Sequence, residues 1–287
     1  MNDIVNCVDS EICLFDDDCV CYRIIKGKRD CDILQNDINN LAQWANKWEM
    51  RFQPAKCNIV QLTRNRIRKI DGAYQLNQTA LKKVSTIKYL GVNISSDLKW
   101  NDHVQKTCAK ANNILNLLRR NFHKCSQNSK ELAYKGLVRP ILEYASTIWS
   151  PPQASLQADI ERVQKRAARF VSNNYNYEVG SMSNIMTTLK WKSLAKRREE
   201  NSLVLLYKGL KGKAVIPTHH LQVHDRRGRN QRDMSYRVPY ARTDSYMNSF
   251  MPRTIRLWNN LPQESILQAE RANDQIKAFR EEVRKWT

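Results

Sequence analysis

The sequence predicts an α+β protein in which strands precede helices. Residues 1–100 contain a candidate β-hairpin, one helix and further strand-like runs, whereas apolar residues recur at helical spacing from residue 101 onward. The charge is also uneven, because an acidic first segment is followed by a long basic one. With 287 residues, 41% of them hydrophobic, the chain is long enough for one or two packed domains.

The strands of the hairpin are predicted at residues 12–15 and 19–22, with Asp16, Asp17 and Asp18 between them. Adjacent carboxylates at a hairpin tip are hard oxygen ligands of the kind that Mg²⁺ prefers. Two such ions can activate a 3′-hydroxyl and stabilise a leaving oxygen, as in polymerases. A pair of aspartates alone is more often only a polar turn, so the catalytic interpretation depends on its context.

The remainder of the first hundred residues alternates between helix and strand. Asp30 is a plausible N-cap of a helix that Pro54 ends. Its apolar face consists of Leu34, Ile38, Leu41, Ala45 and Trp48. Short strands are predicted at residues 58–63 and 87–94, and residues 95–97 turn the second of them.

Several helices are predicted after residue 100. Asn101 or Asp102 caps the first, whose buried face is Val104, Cys108, Ala111, Leu115 and Leu118. A second stretch, residues 129–149, is divided near Pro140. Further helices follow at about residues 192–210 and 274–286, and a polar loop is expected at residues 225–232.

The clearest amphipathic helix lies between these, with an apolar stripe of Leu156, Ile160, Val163, Ala167 and Phe170. Its opposite face carries four basic residues and no acidic one among them: Arg162, Lys165, Arg166 and Arg169. Lys196, Arg197 and Arg198 form a second basic cluster on the next helix. Both clusters are predicted to bind the phosphates of RNA or DNA. The alternatives are a solvated surface and an acidic protein partner.

The overall charge supports a polyanionic partner. The chain has 48 Lys and Arg against 28 Asp and Glu, a net charge of +20. Residues 1–60 carry 7 basic and 10 acidic side chains, whereas residues 61–240 carry 33 basic and 12 acidic ones. Such a distribution is typical of a nucleic-acid-binding surface.

Other classes of protein are disfavoured. No apolar stretch approaches the length of a membrane span, and no secretory leader is evident, so we expect no membrane partner. The eight cysteines form no CxxC pair and are expected to be reduced thiols in an intracellular protein of the cytoplasm or nucleus. His219, His220 and His224 are expected in a basic loop rather than in a metal site.

Six segments, in order, resemble the reverse transcriptases of LINE-type (non-LTR, jockey-like) retrotransposons. They are residues 2–4, 15–18, 44–57, 89–103, the pair 139–144 and 163–169, and residues 249–262. The resemblance covers nearly the whole chain. It implies a partial polymerase palm in residues 1–100, a helical thumb-like region in residues 101–210, and a basic C-terminal tail region with a terminal helix in residues 211–287.

The resemblance also implies roles for individual residues. Asp17 and Asp18 match the metal-binding carboxylates, which in the family hold Mg²⁺ or Mn²⁺, and Lys56 matches a lysine that assists pyrophosphate departure. Tyr89, Leu90 and Gly91 match the region that grips the primer on its RNA or DNA template. The alternatives are simple packing for Tyr89 and Leu90 and a surface role for Lys56.

Two features depart from the family. Asp16 stands where the family has alanine and adds a third negative charge beside the catalytic pair. In the family, the first catalytic aspartate and the fingers lie upstream of the position that Met1 matches. The expectation is therefore a reverse transcriptase fragment that is inactive alone. The alternative is a non-catalytic nucleic-acid-binding protein derived from a mobile element.

Overall fold

The structure, a computed structural model, describes residues 3–63, 70, 72–218, 221–223 and 235–286. It consists of two compact units, Met1–Leu98 and Lys99–Thr287. The three histidines at positions 219, 220 and 224 and the predicted loop at residues 225–232 lie outside the described residues. Among the helices of the described ranges, none has both the length and the apolar character that crossing a membrane requires.

The described residues of the first unit form one long helix and four two-stranded sheets, so the α+β class is confirmed. The hairpin pairs β1 (Glu11–Phe15) with β2 (Asp18–Tyr22), and the helix is α1 (Lys28–Lys47). The other pairs are β3 (Asn58–Ile59) with β6 (Lys82–Lys83), β4 (Gln75–Leu76) with β5 (Thr79–Ala80), and β7 (Thr86–Tyr89) with β8 (Val92–Ser95). The β3–β6 pair is parallel and the other three are antiparallel.

Helix α1 differs from its prediction at both ends. Its N-cap is Gly27, and Asp30 lies inside the first turn. There the Asp30 carboxylate accepts hydrogen bonds from the backbone N–H groups of Lys26 (2.8 Å) and Gly27 (3.0 Å), so it still satisfies free donors of the helix start. The helix ends at Lys47, well before the predicted end at Pro54, and Trp48 is 54% exposed rather than buried.

The strand predicted at residues 87–94 is in fact a hairpin. Leu90 (φ 43°) and Gly91 (φ 80°) form a two-residue turn between β7 and β8. Positive φ at both central residues is the geometry of a type I′ turn, which matches the twist of the flanking strands. The alternation of apolar and polar residues is interrupted at residues 89–92, and the turn lies at this interruption.

In the core of the first unit, α1 packs against the segment before the hairpin, against the hairpin itself and against the segment that follows α1. Phe52 and residues of the hairpin pack against a buried cluster of Ile4, Leu41, Trp44 and Ala45. Beside it, the buried Asp37 carboxylate accepts hydrogen bonds from the backbone N–H groups of Asp9 (2.9 Å) and Ser10 (3.0 Å). These contacts connect α1 to the start of β1, and thereby position the hairpin.

In the described ranges of the second unit, helices alternate with loops, and the β-structure there is an isolated bridge between Val223 and Tyr236. Its helices are α2 (Asn101–Asn121), α3 (Gln127–Ala133), α4 (Arg139–Glu143), α5 (Ser146–Trp149), α6 (Ala154–Ser172), α7 (Ser181–Thr188), α8 (Leu194–Leu210), α9 (Asp244–Met247), α10 (Phe250–Asn260), α11 (Gln263–Arg271) and α12 (Gln275–Trp286).

The start of α2 was predicted wrongly, but its buried face was predicted correctly. Trp100 is the N-cap, and both predicted caps lie within the helix, where Asp102 pairs with Lys106 at 2.9 Å. Val104, Ala111, Leu115 and Leu118 are all buried, and Cys108 is half-buried. The face follows from the 3.6-residue period, whereas the first residue of a helix depends on backbone angles that the period does not determine.

The predicted division near Pro140 is confirmed. A π-helical turn, Tyr134–Val138, precedes α4, and Pro140 occupies the first turn of that helix, where its missing N–H group is not needed. Ala145, with φ of 50°, then separates α4 from α5.

A buried amide links three parts of the second unit. The Tyr134 hydroxyl donates to Gln164 Oε1 (3.0 Å), and Gln164 Nε2 donates to the carbonyl oxygen of Lys192 (2.8 Å). Gln164 is 1% exposed. Helix α6 is thereby joined both to the π-helical turn and to the segment that leads into α8.

Where the structure describes the segment after residue 211, it has four helices and not only the predicted terminal one. Apolar residues of α10, α11 and α12 pack against the second half of α8 in one core, where Tyr207 stacks on Phe279 at 4.2 Å between ring centroids. Trp258 and Val283 belong to the same buried cluster. These C-terminal helices are therefore part of the second unit.

Candidate functional site

The acidic hairpin is closed by a two-residue turn. Phe15 pairs with Asp18, so Asp16 and Asp17 are the central turn residues and Asp18 begins β2. Asp16 has φ of 54°, and aspartate is one of the few residues other than glycine that tolerate this left-handed region. All three aspartates are exposed.

Asp17 and Asp18 provide part of a ligand set for a divalent ion. Neither carboxylate forms an ion pair or hydrogen bond with another described residue, so the oxygens of both are available. Mg²⁺ is commonly bound by one or two carboxylates together with water and substrate phosphates, which fits this pair. The described part of the chain contains no group of three or more His, Cys, Asp or Glu arranged to hold a metal.

Two other segments with predicted roles lie near the hairpin. Burial raises the pKa of the Tyr89 phenol, and the nearby charges of Cys13 and Asp18 raise it further. Burial likewise raises the pKa of Cys19, with a contribution from Cys57, the neighbour of Lys56. Lys56 itself is exposed at the end of a 3₁₀ turn, and Leu90 and Gly91 form the β7–β8 turn.

The basic face of α6 is present but is not free of acid. Arg162, Lys165 and Arg166 are exposed, and Arg169 is half-buried with its guanidinium 4.2 Å from the centroid of the Tyr177 ring. Arg162 pairs with Asp159 one turn earlier, at 2.8 Å. The prediction considered only residues 162–169 and therefore left out this aspartate, which lies three residues before Arg162.

Lys196, Arg197 and Arg198 do not form one exposed cluster. Lys196 is exposed, whereas Arg198 is 2% exposed and the Arg197 guanidinium donates to both carboxylate oxygens of Glu143. Successive residues of a helix point about 100° apart, so three in a row cannot share a face. Of the three, only Lys196 presents its charge to solvent without a protein partner.

Sequence reasoning missed a group of basic residues around a cavity of the second unit. Arg119 and Arg120 at the end of α2, together with Lys130 of α3, line a cavity of about 690 Å³. The Arg-Arg pair that ends α2 is visible in the sequence. The contribution of Lys130 depends on how α3 packs against α6, which the sequence does not reveal.

Comparison with known proteins identifies three relatives in fruit flies. The chain is 25% identical over 151 residues to a probable RNA-directed DNA polymerase from transposon BS of Drosophila melanogaster. It is 26% identical over 160 residues to a probable RNA-directed DNA polymerase from transposon X-element of the same species. It is 28% identical over 144 residues to the RNA-directed DNA polymerase from mobile element jockey of Drosophila funebris.

These alignments cover 49–55% of the chain but only 16–17% of each relative. No protein-family model matches the chain, and no solved structure matches it. The resemblance that the ordered motifs predict is nevertheless confirmed: over about half its length, the chain is similar to RNA-directed DNA polymerases of non-LTR retrotransposons.

Proposed function

We propose that this chain is part of an RNA-directed DNA polymerase of a non-LTR retrotransposon. Residues 1–100 are then part of the palm, residues 101–210 are thumb-like helices, and residues 211–287 complete the helical unit. The observation that carries the proposal is the similarity to three mobile-element polymerases, and it is supported by an exposed aspartate hairpin whose sequence resembles the family motif.

In this proposal the hairpin holds Mg²⁺ or Mn²⁺ through Asp17 and Asp18. An ion held there would supply Lewis-acid activation of a primer 3′-hydroxyl and would stabilise negative charge on the leaving pyrophosphate. Lys56 is exposed and contributes a positive charge to the leaving group. Tyr89, Leu90 and Gly91 lie at or beside the β7–β8 turn, where they hold the primer end.

The 287-residue polypeptide alone is not expected to extend a primer. In the resembled family, a further catalytic aspartate and the fingers belong to a segment that precedes the part matched here. The test is primer extension on an RNA template with Mg²⁺ or Mn²⁺. Extension that Asp17→Ala abolishes would overturn the expectation. Binding of the template without any incorporation agrees with this expectation, and it is also the result that the second candidate, a non-catalytic nucleic-acid-binding protein derived from a mobile element, would give.

The helical unit is proposed to bind RNA or DNA with little sequence preference. Residues 61–240 carry 33 basic and 12 acidic side chains, and the exposed residues of the α6 face are among the basic ones. Neutralising phosphates releases counterions, so engagement of roughly five phosphates gives a log–log salt slope of about −3.5 on single strands.

The α6 face can be tested with a matched control. Changing Arg162, Lys165 and Arg166 to glutamine removes up to three phosphate contacts, which should flatten the slope by about 2. The control removes the same charge from exposed positions after residue 240, namely Arg271, Lys277 and Lys285. Fluorescence anisotropy with a labelled single strand at several salt concentrations measures both. Equal effects of the two triple variants would show that only net charge matters.

A further inference from the structure

A cavity of about 690 Å³ opens between the second half of α2, the start of α3 and the end of α6. Its volume lies within the range of small-molecule sites, roughly 300–1,000 Å³. The residues that line it are Asn113, Asn116, Arg119, Arg120, His123, Lys130, Phe170, Asn173 and Tyr175. Four of the nine are basic or histidine, and none is acidic.

The cations of this cavity have no anionic partner within the described part of the chain. Arg119 and Arg120 form neither an ion pair nor a side-chain hydrogen bond there. Lys130 is only 5% exposed, and its ammonium lies 5.3 Å from the centroid of the Phe170 ring, a cation–π contact. This contact holds the lysine in the wall of the cavity, and no described acidic side chain pairs with its charge. An anion in the cavity would supply the missing counter-charge.

The remaining side chains suit a base rather than a simple inorganic anion. Tyr175 is 45% exposed beside the cations and offers a ring on which a base can stack. The side-chain amides of Asn113 and Asn116 form no hydrogen bond with described residues, so each offers both donors and an acceptor. Cations, an aromatic ring and free amides together are the recognition elements of a nucleotide.

We propose that this cavity binds one nucleotide unit of a single-stranded nucleic acid, with its phosphate at Lys130, Arg119 and Arg120 and its base at Tyr175. The inference rests on the proposed function in that the helical unit must bind nucleic acid. Single strands are preferred because the faces of paired bases in a duplex are already stacked. A free mononucleotide offers the same phosphate chemistry, so the test separates the two sources.

The first measurement is the binding of a labelled 20-nucleotide oligo-uridine by the full chain at several salt concentrations. Lys130→Met keeps the aliphatic stem against Phe170 and removes the charge. We expect about tenfold weaker binding and a salt slope flatter by about 0.7. The control is Lys213→Met, an exposed lysine of the same unit outside the cavity, which should change neither quantity appreciably.

The second measurement concerns the base. Tyr175→Ala should weaken single-strand binding at least about fivefold and leave duplex binding unchanged. Tyr175→Phe keeps an aromatic ring and should therefore bind single strands as the wild type does. If Lys130→Met does not fold, as judged by circular dichroism, a double variant of the exposed arginines, Arg119→Gln with Arg120→Gln, replaces it. Calorimetric titration with UMP tests the free nucleotide.

The outcomes distinguish this inference from the proposed function. If the wild type binds with a salt-dependent affinity but the cavity variants behave like Lys213→Met, the cavity proposal fails and polyanion binding stands. If UMP binds in a Lys130-dependent manner while no oligonucleotide binds, the phosphate chemistry is right but the strand proposal and the nucleic-acid function fail. If neither probe binds, both proposals are wrong.

Discussion

Replacing Arg197 with methionine tests whether this arginine stabilises the fold or contacts phosphate. The change removes two hydrogen bonds from the guanidinium to the Glu143 carboxylate, one of them 3.0 Å long, which join α8 to α4. Glu143 then keeps only Arg139, whose nearest nitrogen is 3.8 Å away. Methionine retains much of the aliphatic stem, so the main loss is the charge pairing.

The magnitude follows from the burial of the pair. The Arg197 side chain is 23% exposed and that of Glu143 is 17% exposed. Exposed ion pairs contribute up to about 1 kcal/mol, whereas removal of one partner from a fully buried pair costs about 3–5 kcal/mol. This pair lies between these limits, so the free energy of unfolding should fall by about 2 kcal/mol. For a unit of this size, that corresponds to a melting temperature lower by about 4–8 °C.

Thermal unfolding and urea unfolding of the full chain measure this change. Lys196→Met is the matched control, because it removes the same charge from an exposed position of the same helix and should change stability by less than about 0.5 kcal/mol. A double-mutant cycle with Glu143→Gln should give a coupling energy of about 1–2 kcal/mol. The reasoning is refuted if Arg197→Met is as stable as Lys196→Met but loses affinity for nucleic acid.

Three further predictions concern other parts of the chain. Leu90→Asn should stabilise the first unit by about 0.5–1 kcal/mol and Gly91→Ala should destabilise it by about 1 kcal/mol, because both turn positions have positive φ; urea unfolding measures both. Phe279→Ala should cost about 3–5 kcal/mol in thermal unfolding, since the ring is fully buried in the core that α12 completes. The hydrogen bond from Trp44 lowers the pKa of Asp3, so its contribution to stability is present above the ordinary carboxyl pKa of about 4 and is lost as the pH falls through the lowered value. Asp3→Asn should therefore diminish the acid-induced change in tryptophan fluorescence; an unchanged acid titration would contradict this.

The sequence predicted the features that depend on periodicity. The buried faces of α2 and α6 were correct because a 3.6-residue repeat of apolar residues has one physical interpretation at this length. The acidic hairpin was also correct, although Asp18 begins β2 rather than lying at the tip. There, two apolar runs flank a polar turn that is too short to connect two strands in any way other than as a hairpin.

The sequence could not predict features that depend on contacts between distant segments. Arg198 was predicted to be exposed because it follows two other basic residues, yet it lies four residues after the buried Leu194 and four before the buried Ser202. A helical projection of α8 would have placed it inside. The Glu143 partner of Arg197 is 54 residues away in sequence, and no local pattern reveals it.

The amide of Gln164 has a consequence for the surface of the protein. Its oxygen and its nitrogen each have a fixed partner, the Tyr134 hydroxyl and the Lys192 carbonyl, so an error of one residue in the rotational setting of α6 would break both hydrogen bonds. Such an error would turn the helix by about 100° and take its apolar stripe out of the core. The buried apolar stripe of α6 and a neutral amide that never meets solvent therefore together determine which charges of this helix face solvent.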